Sequence, residues 1–156
     1  MGQTTEVGST TLQIIRTYKA QREKVWNAWT NPEALKKWFG PSDEFTVLLA
    51  EVDLGIGGTY RLQMKAPNGE VHTAVGTYKE VNAHEKLVFT WSWEEGGGCG
   101  DAKAGPPIDT LVTLEFRVKG NESEMILTHD RFPNVEARDK HQEGWSGCLA
   151  RLGKLF

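Results

Sequence analysis

Cysteine is scarce in this chain. Its 156 residues contain two, Cys99 and Cys148, too few and too far apart for a disulfide framework or a zinc site. Both read as thiols, and no metal or cofactor motif accompanies them. Long apolar runs are also missing. No stretch approaches the ~20 residues of a membrane span, and the polar residues 1–9 lack the hydrophobic centre of a signal peptide, so membrane insertion is not expected and the expected location is cytoplasmic. Nor is there a block of one charge. The net charge of -3, with Lys and Arg scattered, leaves no footprint for nucleic acid or an anionic surface. The glycine run over residues 96–100 lacks the Lys-Ser/Thr pair and the following helix of a phosphate loop. No internal repeat and no second domain is visible. A disordered tail over residues 1–9 and one domain over residues 10–156 are expected, the latter large enough to bury about two thirds of its unfolded surface.

Against these absences the chain has six tryptophans, each a large rigid apolar surface with one N–H that needs an acceptor when buried. It also has an unusual end. Trp145, Cys148, Leu149, Leu152 and Phe156 recur at i, i+3, i+4, i+7 and i+11, the spacing of one side of a helix. A helix over residues 135–156 would be roughly 30 Å long, although Gly144, Gly147 and Gly153 should each cost on the order of 1 kcal/mol against Ala within it. Either another backbone approaches closely at those positions, or the helix leaves space beside it.

The rest of the chain alternates between two periods. Residues 10–18 are β-branched and apolar, a first strand. Residues 22–30 place Val25, Trp26 and Trp29 on a helical face. Asn31-Pro32 ends that helix and caps the next, in which Leu35, Trp38 and Phe39 are the apolar positions. From residue 45 the period becomes two. Strands are predicted over 45–54, 59–65, 70–81, 86–93, 109–119 and 122–130, with Gly76 marking a bulge or bend. Residues 94–107 read as a mobile loop. The order is one strand, two short helices, six antiparallel strands and one long helix. The last six strands form a meander whose apolar face needs covering, and only the terminal helix is long enough to cover it.

With the order established, four stretches, REKVWNAWTNPEALKKWFGP (22–41), EVDLGIGGTYRLQM (51–64), GTYKEVNAHEKLVFTW (76–91) and LTHDRFPNVEARDKHQEGWSGCLARL (127–152), resemble the stand-alone homologues of the C-terminal domain of the heat-shock-protein-90 ATPase activator, within the START-like, helix-grip superfamily. Two positions depart from that pattern: Gln21 stands where a proline is usual, and Gly55 where an arginine is usual. The second removes a cation near Glu51 and Asp53. The resemblance implies an α+β fold in which a strongly curved antiparallel sheet of about seven strands grips the C-terminal helix, the two short helices closing one end. Such folds often hold a cavity between sheet and helix. It also implies a heat-shock-protein-90-type chaperone as an alternative partner, with a stress-response role, and a cyclase-like enzyme as a further alternative. No catalytic motif is shared, and fold alone does not imply function.

The inward wall is expected to be Tyr60, Met64, Phe89, Trp91, Trp93 and Met125, faced by Trp145, Cys148 and Leu149. A filled core and a pocket for a small hydrophobic or aromatic ligand explain that set equally well. His129 shares a face with Met125 and Leu127 and should point inward. It either orients a ligand or moves a proton, or it is a hydrogen-bonded histidine that holds the strand end against the helix. No nucleophile or second acid stands beside it, which favours the latter and an expectation of binding without catalysis. Glu51 and Asp53 also share a face, more simply an exposed one than an acid/base pair. Trp26, Trp29, Trp38 and Phe39 have the spacing of packed core rather than of a docking surface.

Overall fold

The computed structural model describes residues 11–40, 42–94, 110–132 and 134–156. The expected N-terminal tail, most of the loop after Trp93, and Cys99 lie outside those residues. Strand β1 (Leu12–Tyr18) leads into helices α1 (Arg22–Thr30) and α2 (Pro32–Trp38). There follow β2 (Thr46–Val52), β3 (Thr59–Lys65), β4 (Val71–Asn82), β5 (Lys86–Trp93), β6 (Thr110–Lys119), β7 (Glu122–Asp130) and helix α3 (Val135–Gly153). The strands make one antiparallel sheet in the order β1-β7-β6-β5-β4-β3-β2. The meander is therefore as predicted, and β1 extends it by pairing with β7. The fold is α+β, a curled half-barrel that grips the terminal helix.

Local chemistry accounts for the breaks between elements. Asn31 is extended at φ -97°, and its side chain accepts from the Glu33 N–H at 2.9 Å, so one residue ends α1 and starts α2. Asn134 does the same for α3, accepting from the Ala137 N–H at 2.8 Å. Helix α3 stops at Gly153 rather than running on to Phe156. Beyond Arg151 the backbone bonds tighten to the i→i−3 pattern, Lys154 to Arg151, Leu155 to Leu152 and Phe156 to Gly153, as helix ends commonly do. The turn brings the Phe156 ring edge-on to Tyr18, with centroids 5.7 Å apart.

The strand ladder is irregular where β3, β4 and β5 meet. Gly76 is opposite Tyr60, and a β-carbon there would overlap both the Thr90 carbonyl and the Tyr60 ring. Its missing side chain lets the Tyr60 hydroxyl reach across β4 and donate to the Thr90 carbonyl at 2.5 Å. The Thr77 N–H is taken by the Thr90 hydroxyl at 2.8 Å. The register shift in this ladder falls between Tyr78 and Glu80, a few residues past Gly76, and a second lies between Val47 and Leu49. Gly76 is thus a crossing point for an aromatic side chain, and the bulge sits beside it.

The concave side of the sheet carries Tyr60, Leu62, Met64, Leu87, Phe89, Trp91, Leu114, Met125 and Leu127, all buried. Trp145, Cys148, Leu149 and Leu152 of α3 are buried with them in one cluster, as are Trp26, Trp29, Trp38 and Phe39. The far end of α3 is tied down separately. The largely buried Arg151 side chain donates to the Phe39 carbonyl at 3.1 Å and meets Asp43 at 3.2 Å, and Lys154 reaches Asp43 at 2.9 Å. The neighbouring cations, Lys154 first, hold the Asp43 carboxyl below its ordinary value.

Candidate functional site

Among the described residues, two hollows interrupt the packing on the concave side of the sheet. The first, about 30 Å³, lies between Met64, Trp91 and Trp93 of the sheet and Gly144, Trp145 and Cys148 of α3, with Lys140 and His141 also on its border. The second, about 20 Å³, is under the short helices, between Trp29 and Leu35 above and Tyr60, Tyr78 and Phe89 below. Phe39 and Trp91 border both, and their ring centroids are 6.1 Å apart. This pair is the partition between the two spaces. Each hollow has room for a few atoms, far from the several hundred Å³ of a site that encloses a drug-sized molecule.

Of the residues expected to form the wall, Met64, Trp91, Trp93, Trp145 and Cys148 meet at the first hollow, and Tyr60, Phe89 and Trp91 at the second. Met125 and Leu149 border neither. Met125 Sδ accepts from the Trp29 indole N–H at 3.1 Å, and the Leu149 carbonyl from the Tyr18 hydroxyl at 3.2 Å. Phe39 was legible only as a packed helix position, and its place in the partition follows from α2 ending one residue before it. The border residue His141 shows no signal in the sequence, because its side-chain partner Trp93 comes from a distant segment.

The glycines of α3 divide. At Gly144 a β-carbon would meet nothing within 4 Å, whereas at Gly153 it would touch the Tyr18 ring at 3.5 Å. Gly144 leaves space beside the helix, and Gly153 admits a neighbour.

His129 is fully buried and does not border a hollow; it belongs to a directed chain of hydrogen bonds. An indole N–H only donates, so the Trp145 N–H at 3.0 Å makes His129 Nδ1 an acceptor. The proton must then sit on Nε2, which donates to the Thr110 hydroxyl oxygen at 2.6 Å, and that hydroxyl donates onward to the Trp91 carbonyl at 3.0 Å. His141 is wired in the same sense. The Trp93 N–H donates to its Nε2 at 3.1 Å, and its Nδ1 donates to the Ala137 carbonyl at 2.8 Å. The two imidazoles are edge to face at 5.4 Å, with Phe132 against both. Both are therefore neutral by construction. Burial, and after it the nearby His141, holds the His129 imidazole well below its ordinary value. Burial lowers His141 too, against the opposing pull of the Ala137 carbonyl.

The indoles of Trp29, Trp38, Trp93 and Trp145 all donate to acceptors within the fold. Trp91 does not: its buried N–H has no partner among the described residues. Leaving such a donor unmatched costs about 1–3 kcal/mol. Elsewhere Glu51 and Asp53 are exposed. The cation that Gly55 does not provide is present across the ladder, where Arg61 pairs in register with Glu51 and reaches Glu94 at 2.8 Å. Among the described residues, no group of three His, Cys, Asp or Glu side chains is clustered as a metal site would require, and no helix is long and apolar enough to cross a membrane.

Comparison with known proteins agrees with the fold. The sequence model of the family described as Activator of Hsp90 ATPase homolog 1-like protein matches residues 19–156. A solved protein from Chromobacterium violaceum superposes with a TM-score of 0.80 at 25% identity, over 94% of this chain and 96% of that one. The AHSA1 protein of Silicibacter pomeroyi gives a TM-score of 0.77 at 20% identity, over 92% and 95%. A protein from Nitrosomonas europaea gives 0.76 at 22% identity, over 94% of both. Among curated proteins none matches the chain.

Proposed function

The chain belongs to the family of Activator of Hsp90 ATPase homolog 1-like proteins, and on that premise we propose that it binds a small hydrophobic or aromatic molecule between the curled sheet and the helices, without catalysis. The observation that carries this reading is the pair of apolar hollows meeting at Phe39 and Trp91. A ligand enters by displacing the Phe39 ring, so that the two spaces become one, while the flexible thioether of Met64 adapts to its shape. Gly144 leaves the helix side open for it. A proton-transfer role for the histidines fits less well, since each ring nitrogen of His129 and His141 already has a partner. The test is a thermal-shift and tryptophan-fluorescence screen against apolar aromatic compounds. Saturable binding with stabilisation that grows with ligand concentration supports the reading, and silence across a broad library sinks it.

A second reading, a module that contacts a heat-shock-protein-90-type chaperone, is favoured by one feature of the surface. The turn between β2 and β3 presents Leu54 and Ile56 to solvent, Ile56 being 75% exposed. Retention of such a chaperone on the immobilised protein, lost in Ile56→Asp, would establish that alternative.

A further inference from the structure

We infer that the ligand of this site is a rigid apolar molecule with one hydrogen-bond acceptor, a ketone or ether oxygen, held by the indole N–H of Trp91. The inference deepens the binding function proposed above and rests on it. Trp91 is 5% exposed and borders both hollows, yet its Nε1 is the one buried indole nitrogen without a partner among the described residues. Its neighbours show that this chain ordinarily supplies such acceptors: Trp93 and Trp145 donate to His141 and His129, and Trp29 to Met125.

The surroundings select the kind of oxygen. Around Trp91 stand Phe39, Met64, Tyr60, Phe89, Trp93 and Trp145. Apart from the Tyr60 hydroxyl, which donates to Thr90, the Trp93 and Trp145 indoles, which donate to the histidines, the His141 ring, whose two nitrogens are both bonded, and the Tyr78 hydroxyl, these walls are apolar. A water needs two to four polar partners to be held in such a place, and the Trp91 N–H supplies one. An oxygen carried on a hydrocarbon frame meets the same N–H while its body fills the apolar space. A carboxylate is disfavoured, because one neutral donor does not offset the desolvation of a full charge. Lys140, the nearest cation on the border, is on the exposed rim of the first hollow.

The test uses a matched pair that differs by one group, α-tetralone and its hydrocarbon tetralin, on the full chain. Calorimetric titration should show the ketone binding roughly tenfold tighter than tetralin, the worth of one buried hydrogen bond. Trp91→Phe, which keeps an aromatic ring and removes the N–H, should abolish that preference, so that the ketone and tetralin bind the variant within about threefold of each other. A measurement on the unaltered protein covers the event that Trp91→Phe does not fold. In ¹⁵N-labelled protein one indole N–H resonance should move downfield on adding the ketone and not on adding tetralin. Equal binding of both compounds, with no indole resonance distinguishing them, would overturn the Trp91 assignment and leave the apolar site standing. Binding of neither compound overturns the assignment as well, and the wider library then decides the binding function separately.

Discussion

At the scale of single residues, His129 is the position where the choice between function and structure is clearest. Its depth was legible, since it follows Met125 and Leu127 at period two. Its partners were not, because Trp145, Thr110 and the neighbouring His141 arrive from three other parts of the chain. Replacing it with leucine leaves the Trp145 N–H unmatched, so His129→Leu should lower stability by about 2–4 kcal/mol in urea unfolding. The pair also sets a pH dependence. In the unfolded chain each histidine takes up a proton near its ordinary value of about 6.5, while in the folded chain burial holds both lower, His129 well lower. Below that pH the unfolded state binds more protons, so stability falls as the medium is acidified from about pH 7 to 5, by up to ~1.4 kcal/mol per pH unit for each histidine. Above pH 7 these groups contribute no slope. His129→Gln should flatten the acid limb of a stability-against-pH curve measured by urea unfolding.

At the scale of elements, the change of period from 3.6 to two and back told the helices from the strands, and turn residues such as Asn31-Pro32 placed most boundaries within a residue or two. Local pattern could not place what depends on another strand. Gly76 reads in the sequence as a bulge or bend; the register shift lies past Tyr78, and the need for glycine comes from the Tyr60 ring crossing β4 on its way to Thr90. Gly76→Ala should therefore destabilise by at least ~2 kcal/mol, since the obstacle is backbone and cannot rotate away. Helix α3 gives the opposite case. A methyl at Gly144 has open space around it, so Gly144→Ala should stabilise the fold by roughly 0.5–1 kcal/mol through backbone entropy. Chemical denaturation of the two variants side by side checks both signs. The apolar stripe predicted the burial of Trp145, Cys148, Leu149 and Leu152, but not that the helix would tighten after Arg151 to seat Phe156 on Tyr18.

For the whole molecule, strand order and the gripping helix were readable because a meander has only one apolar side to cover. The shape of the internal space was not. Its second part lies under α1 and α2, where the approach of Trp29 and Leu35 to the sheet depends on how Arg151 and Asp43 anchor the end of α2 to the end of α3. That arrangement leaves a core almost filled, with the two hollows meeting at one tryptophan. The central claim is that this space takes an apolar molecule, and the most direct measurement is a thermal-shift titration with α-tetralone on the unaltered protein and on Gly144→Leu, which projects a side chain into the first hollow. The unaltered protein should gain roughly 5–10 °C at a hundredfold excess over Kd, while Gly144→Leu, with a similar melting temperature on its own, gains almost nothing. An unaltered protein that does not respond, or a variant that responds equally, would contradict it.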